Sequence, residues 1–130
     1  MGFLKGWTPQ LLSIFRIMVA LLFLEHGTAK FFQFPHVPMY DGVVLMSLPG
    51  IAGVLELVGG LLLAFGLFSS ITAFILSGEM AIAYFLVHAP KGFFPILNAG
   101  ELAIVYCFAF LYLAAAGPGP WSVDAMRAKT

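Results

Sequence analysis

Four stretches of roughly twenty mostly apolar residues fill this chain of 130 residues, and no other feature constrains its fold as much. A helix needs about 20 such residues to cross the hydrocarbon of a bilayer. The stretches run roughly from Pro9 to Phe32, Leu48 to Leu67, Ser70 to His88 and Ile96 to Ala116. They predict an all-α fold, an integral membrane four-helix bundle, built as one domain over residues 1–130.

The balance of residue types agrees. Hydrophobic residues make up 62% of the chain and charged residues 9%, against about 25% charged in a soluble domain. A small soluble protein cannot hide that much apolar surface, so the lipid bilayer is the expected partner over most of the outside. Six basic and six acidic residues cancel, and no basic patch speaks for nucleic acid. The single cysteine, Cys107, excludes an intramolecular disulfide or a CxxC redox pair. The first apolar run contains Arg16 and Glu25 and has no A-x-A cleavage pattern, so it reads as a retained helix rather than a signal peptide.

Local signals set the breaks. Thr8-Pro9, Pro49 and Ser69 or Ser70 open helices, and Gly117-Pro118-Gly119-Pro120 stops the last one. The segment from Gln33 to Ser47 is long enough for a structured cap. The break around Gly66 to Ser70 is short and predicts an antiparallel hairpin. Four crossings place both termini on one side, with Lys5, Arg127 and Lys129 there and Lys30 and Lys91 on the other. The positive-inside rule puts that side in the cytoplasm, as expected for a multi-pass protein of a bacterial-type inner (plasma) membrane.

Ionisable residues inside the spans carry the functional signal, because each costs about 2.5–3.5 kcal/mol at the bilayer centre on insertion scales. They are Arg16, Glu25, His26, Lys30, Glu56, Glu79 and Glu101, with His88 and Asn98 at helix ends. At about 1.5 Å of rise per residue, the four glutamates fall between mid-membrane and the outer surface, where one outward-facing polar cavity could collect them. At about 100° per residue, Arg16 and Lys30 share a side of the first helix, Glu25 faces away from Arg16, and His26 points inward. The plainer reading is that the glutamates pair with Arg16, Lys30 and Asn98, or stay protonated, and so lock the helices together. The glycines Gly53, Gly59, Gly60 and Gly66 most simply permit close helix approach. A flat slot for a quinone is the sharper reading of the same stretch.

A di-iron centre in a helical bundle needs Glu-x-x-His pairs from two helices. No glutamate here has a histidine three residues later, so no metal is expected. Haem ligation by His26 and His88 is weaker still, since a lone membrane histidine is more often a hydrogen-bonding partner.

The order of motifs resembles the DoxX family of small four-helix membrane proteins along nearly the whole chain. Arg16 followed by Glu25-His26-Gly27-Thr28-Ala29-Lys30 is similar to the family's first-helix H-G-x-x-K stretch. Gly53-Val54-Leu55-Glu56-Leu57-Val58-Gly59-Gly60 resembles its second helix, and Glu79-Met80-Ala81 and Asn98-Ala99-Gly100-Glu101 its third and fourth. Gly117-Pro118-Gly119-Pro120-Trp121-Ser122-Val123-Asp124 resembles its tail, with Pro120 where the family often has a basic residue.

The resemblance implies quinone-linked redox work at the membrane, beside a soluble or membrane oxidoreductase subunit. The expectation is thus a DoxX-like subunit of a membrane oxidoreductase, with quinone as the cofactor that the resemblance suggests. His26, Glu56, Glu79 and Glu101 would move protons. Arg16, Glu25, Lys30, His88 and Asn98 would bind substrate. The alternative is a non-catalytic assembly partner or small-solute conduit. A homo-oligomer is compatible with the few buried faces that four helices offer.

Overall fold

The computed structural model describes residues 1–128, and Lys129, used in the charge count above, lies outside them. Among the described residues the regular structure is helical throughout: α1 (Gly2–Lys5), α2 (Thr8–Phe32), α3 (Leu48–Phe65), α4 (Ser69–Ala83), α5 (Pro95–Asn98), α6 (Glu101–Ala116) and α7 (Val123–Ala128). The chain forms two compact units. One holds Met1–Ser69 and the tail from Pro118, and the other holds Ser70–Gly117.

In the first unit α2 and α3 run antiparallel. Glycines set their spacing. A Cβ on Gly27 would lie 2.8 Å from Leu57 Cγ and 3.0 Å from the Gly53 carbonyl oxygen, and one on Gly60 would lie 3.0 Å from Leu24 Cβ. Neither distance leaves room for a side chain, so the two backbones touch, and close approach of this kind drives helix association in lipid. At the start of α3 the Ser47 hydroxyl accepts a hydrogen bond from the Gly50 N–H at 3.2 Å, and Pro49 occupies the first turn, where its missing N–H is harmless. At its end Gly66 adopts φ 72°, a left-handed cap that favours glycine.

In the second unit α4 passes into a π-helical turn at Tyr84–His88 and a 3₁₀ turn at Ala89–Lys91. The fourth apolar stretch differs from the continuous helix expected over 96–116. It breaks at Ala99, which takes the left-handed φ 61°, and α6 starts at Glu101. The Asn98 carboxamide causes the break. Its oxygen accepts from the Gly100 N–H at 2.8 Å and its nitrogen donates to the Gly92 carbonyl at 2.9 Å, an alternative to the helical ladder.

Three helical stretches, Thr8–Phe32, Leu48–Phe65 and Ser69–Lys91, are long and apolar enough to cross a membrane. The 16 residues of α6 reach about 24 Å at about 1.5 Å per residue, and so fall short of a full hydrocarbon core on their own. Large side chains such as Leu21, Val58, Ile71, Phe74 and Phe108 lie exposed along these helices, as lipid contact requires.

Candidate functional site

The ionisable residues of the first unit divide between the two ends of the α2–α3 pair. Near the start of α2, Arg16 is 1% exposed. Its Nε donates to the Leu63 carbonyl at 2.8 Å, one terminal nitrogen donates to the Pro118 carbonyl, and the other donates to the Trp121 carbonyl at 2.8 Å. One turn away the buried Ser13 hydroxyl accepts from the Trp121 N–H at 3.0 Å. The tail is thus folded back onto α2 by a guanidinium that spends its donors on backbone. Within the chain these donors meet backbone carbonyls of Leu63, Pro118 and Trp121.

Asp124 completes this end. Its two carboxylate oxygens accept from the Phe68 and Ser69 N–H groups at 2.9 and 2.8 Å, and its own N–H donates to the Gly66 carbonyl at 2.9 Å. A tail aspartate therefore supplies the cap expected from Ser69 or Ser70. Burial alone would push its carboxyl up, but the hydrogen bonds from Ser69 and Phe68 and the charge of Arg127 outweigh it and hold Asp124 below the usual carboxylate range.

At the other end Lys30 Nζ meets Glu56 Oε1 at 2.8 Å, with both side chains more than nine-tenths buried. The Tyr40 ring lies 5.2 Å from the same ammonium, within cation–π range. Beside the pair is an open recess of about 180 Å³ lined by Glu25, His26, Ala29, Pro35, Val37 and Tyr40. An exposed contact between His36 Nε2 and Asp41 Oδ1 at 2.8 Å ties together the loop that supplies three of those residues.

The remaining candidates belong to the second unit. Glu79 is half-buried on α4, its carboxylate oxygens withdrawn from the surface. Glu101 is exposed in the first turn of α6, where a carboxylate suits the helix dipole. His88 Nδ1 lies 3.0 Å from the Asn98 carbonyl oxygen, and buried Asn98 also donates to the Tyr84 hydroxyl at 3.1 Å. The fold therefore brings together Lys30 with Glu56, Glu25 with His26, and His88 with Asn98. Among the described residues no group of three His, Cys, Asp or Glu side chains is placed to hold a metal ion.

Tyr40, Pro35 and Val37 escaped the sequence reading because they sit in a break, where periodicity is silent. Asp124 was visible only as a letter of the tail motif. The Gly-Pro spacing hinted at a turn but not at Arg16 as its anchor.

Apolar helices of membrane length, lipid-facing side chains and an ion pair buried between two of the helices define a multi-pass membrane protein. The chain belongs to the DoxX family, whose profile matches residues 11–89. An uncharacterized protein of Haemophilus influenzae is 48% identical over 129 residues, covering 95% of this chain and 96% of the relative. The inner membrane protein YqjF of Escherichia coli is 30% identical over 120 residues, covering 88% of this chain and 89% of the relative. No solved structure matches the chain significantly.

Proposed function

We propose that this protein is the membrane subunit of a quinone-linked redox system in the inner membrane. Its recess receives the polar ring of a quinone while the lipid tail stays in the bilayer. The supporting observation is the recess of Glu25, His26 and Tyr40 beside the buried Lys30–Glu56 pair. Its volume of about 180 Å³ is below the roughly 300–1,000 Å³ of pockets that enclose a whole ligand, so a small ring head fits the role and a complete isoprenoid quinone does not. The name of the Escherichia coli relative supports the membrane assignment.

Reducing a quinone to its quinol consumes two electrons and two protons. A partner oxidoreductase subunit supplies the electrons. His26 and Glu25 hand over the protons at the ring oxygens, acting as general acids. Lys30–Glu56 fixes the helix ends that frame the recess. With both termini in the cytoplasm, the recess at the far end of α2 opens outward.

The test is titration of a decyl-benzoquinone into protein held in lipid nanodiscs, with wild type beside His26→Ala and Glu25→Gln. Saturable binding lost in His26→Ala is the expected result, and binding that is absent or untouched by both changes overturns the reading. A second reading, a non-catalytic assembly partner, draws on the Arg16 cage and the Lys30–Glu56 pair, both of which spend their charge inside the chain. Stoichiometric copurification of an oxidoreductase subunit, undiminished by the recess substitutions, would select it.

A further inference from the structure

A second polar site sits in the second unit, where α4 ends in its π-helical turn. Asn98, 1% exposed, fixes its chemistry. The Asn98 side-chain oxygen is identified by the Gly100 N–H that donates to it, and the nitrogen by the Gly92 carbonyl that can only accept. The same nitrogen reaches the Tyr84 hydroxyl oxygen at 3.1 Å, so that oxygen accepts and the Tyr84 proton remains to be donated elsewhere. The partner of His88 Nδ1 is the Asn98 carbonyl, again only an acceptor, so Nδ1 carries the ring proton and Nε2 presents a lone pair.

Tyr84 and His88 stand four residues apart with ring centroids 6.3 Å apart and ring planes inclined by 31°. A Cβ at Gly100 would come 2.6 Å from the Tyr84 ring, so that residue's lack of a side chain gives the ring its seat. π-helical turns of this kind occur frequently at functional sites.

We propose that Tyr84 and His88 form a binding site for a neutral, membrane-soluble phenol. One neutral donor beside one neutral acceptor suits a hydroxyl group, whose oxygen accepts from Tyr84 while its own proton is donated to His88 Nε2. An anion such as a phosphate or a carboxylate would want two donors or a countercharge, and the pair supplies neither. A phenol is a stronger donor to an imidazole than an alkanol. Its ring also suits the apolar surroundings: Phe85 stands edge-on to Tyr84 at 5.5 Å, and Phe93 and Phe94 are widely exposed nearby in sequence. This site shares no residue with the recess and does not rest on the redox reading.

The experiment measures binding of 4-nonylphenol and its methyl ether to the full chain in nanodiscs, against protein-free discs. The ether keeps the acceptor oxygen and the apolar body but has no proton to give His88. Saturable binding of the phenol, weakened about tenfold in the ether, in Tyr84→Phe and in His88→Ala, is expected, because each change leaves a polar group of the site unpaired. His26→Ala should bind the phenol as wild type does. Equal binding of phenol and ether by unaltered protein overturns the proposal without any variant having to fold. So does tighter binding of oleate than of the phenol, which would mark an anion site.

Discussion

The two ends of the α2–α3 pair bury their charges in opposite ways. At one end Arg16 is matched to the backbone carbonyls of Leu63, Pro118 and Trp121. At the other, Lys30 is matched to the carboxylate of Glu56 and stands beside an open recess. Carbonyls cannot change protonation state, so the Arg16 end is fixed and acts as a latch for the tail. A carboxylate can, so the Lys30 end is held by a bond that a proton is able to shift. The same helix thus carries a closed end that holds the tail and an end with an open recess beside its ion pair.

Removing the latch should have the largest effect. Arg16→Ala leaves the Pro118 and Trp121 carbonyls without that donor, each worth about 1–3 kcal/mol, and a total loss of about 3–5 kcal/mol is expected in unfolding followed in detergent. Limited proteolysis should then cut beyond Gly117, while quinone titration of the surviving folded protein stays as in wild type. A loss of recess binding equal to the loss of stability would erase the distinction between the two ends.

Lys30→Met comes next. Breaking a buried pair costs about 3–5 kcal/mol when the remaining charge is stranded, and Glu56 can soften this by taking up a proton, so roughly 2–3 kcal/mol is expected. The double change Lys30→Met with Glu56→Leu should return to within about 1 kcal/mol of wild type, because an apolar pair of similar volume replaces a buried ion pair at little cost. If the double variant is as unstable as the single one, the pair does more than neutralise itself. Gly60→Leu forces a side chain into a backbone contact and should cost about 1–3 kcal/mol, with an altered separation of α2 and α3 in cross-linking between introduced cysteines.

The smallest effect concerns pH at the latch. Asp124 has a folded-state carboxyl below its unfolded value of about 3.9. Its contribution is therefore complete above the unfolded value and disappears as pH falls through the folded one. Protease sensitivity of the tail should rise on acidification below about pH 4, and Asp124→Asn should abolish that pH step. A step of equal size in both proteins would assign it to another carboxylate.

Legibility in the sequence varied with the kind of signal. The angular argument that put Arg16 and Glu25 on opposite faces of α2 corresponds to a buried arginine and an exposed glutamate. That argument needs only helical geometry. Glycine spacing in α3 likewise points to close packing, because a missing side chain means the same thing in any helix. The partners of Arg16 were hidden for a physical reason: a buried cation demands acceptors, but backbone carbonyls supplied by a distant tail leave no letter in the sequence. Asn98 was visible as a polar residue at a helix end, yet its power to break the fourth helix came from the positions of Gly92 and Gly100.

The sequence by itself determined that this protein lives in a membrane, where its first three long helices fall and which ionisable residues lie in costly positions, since hydropathy and helical period are local properties. Only the tertiary structure decided which partner each charge takes. Lys30 found Glu56 26 positions away, and Arg16 found the Trp121 carbonyl 105 positions away. Charges in a low-dielectric interior are satisfied by whatever the fold places within about 3 Å, and distance along the chain does not report distance in space.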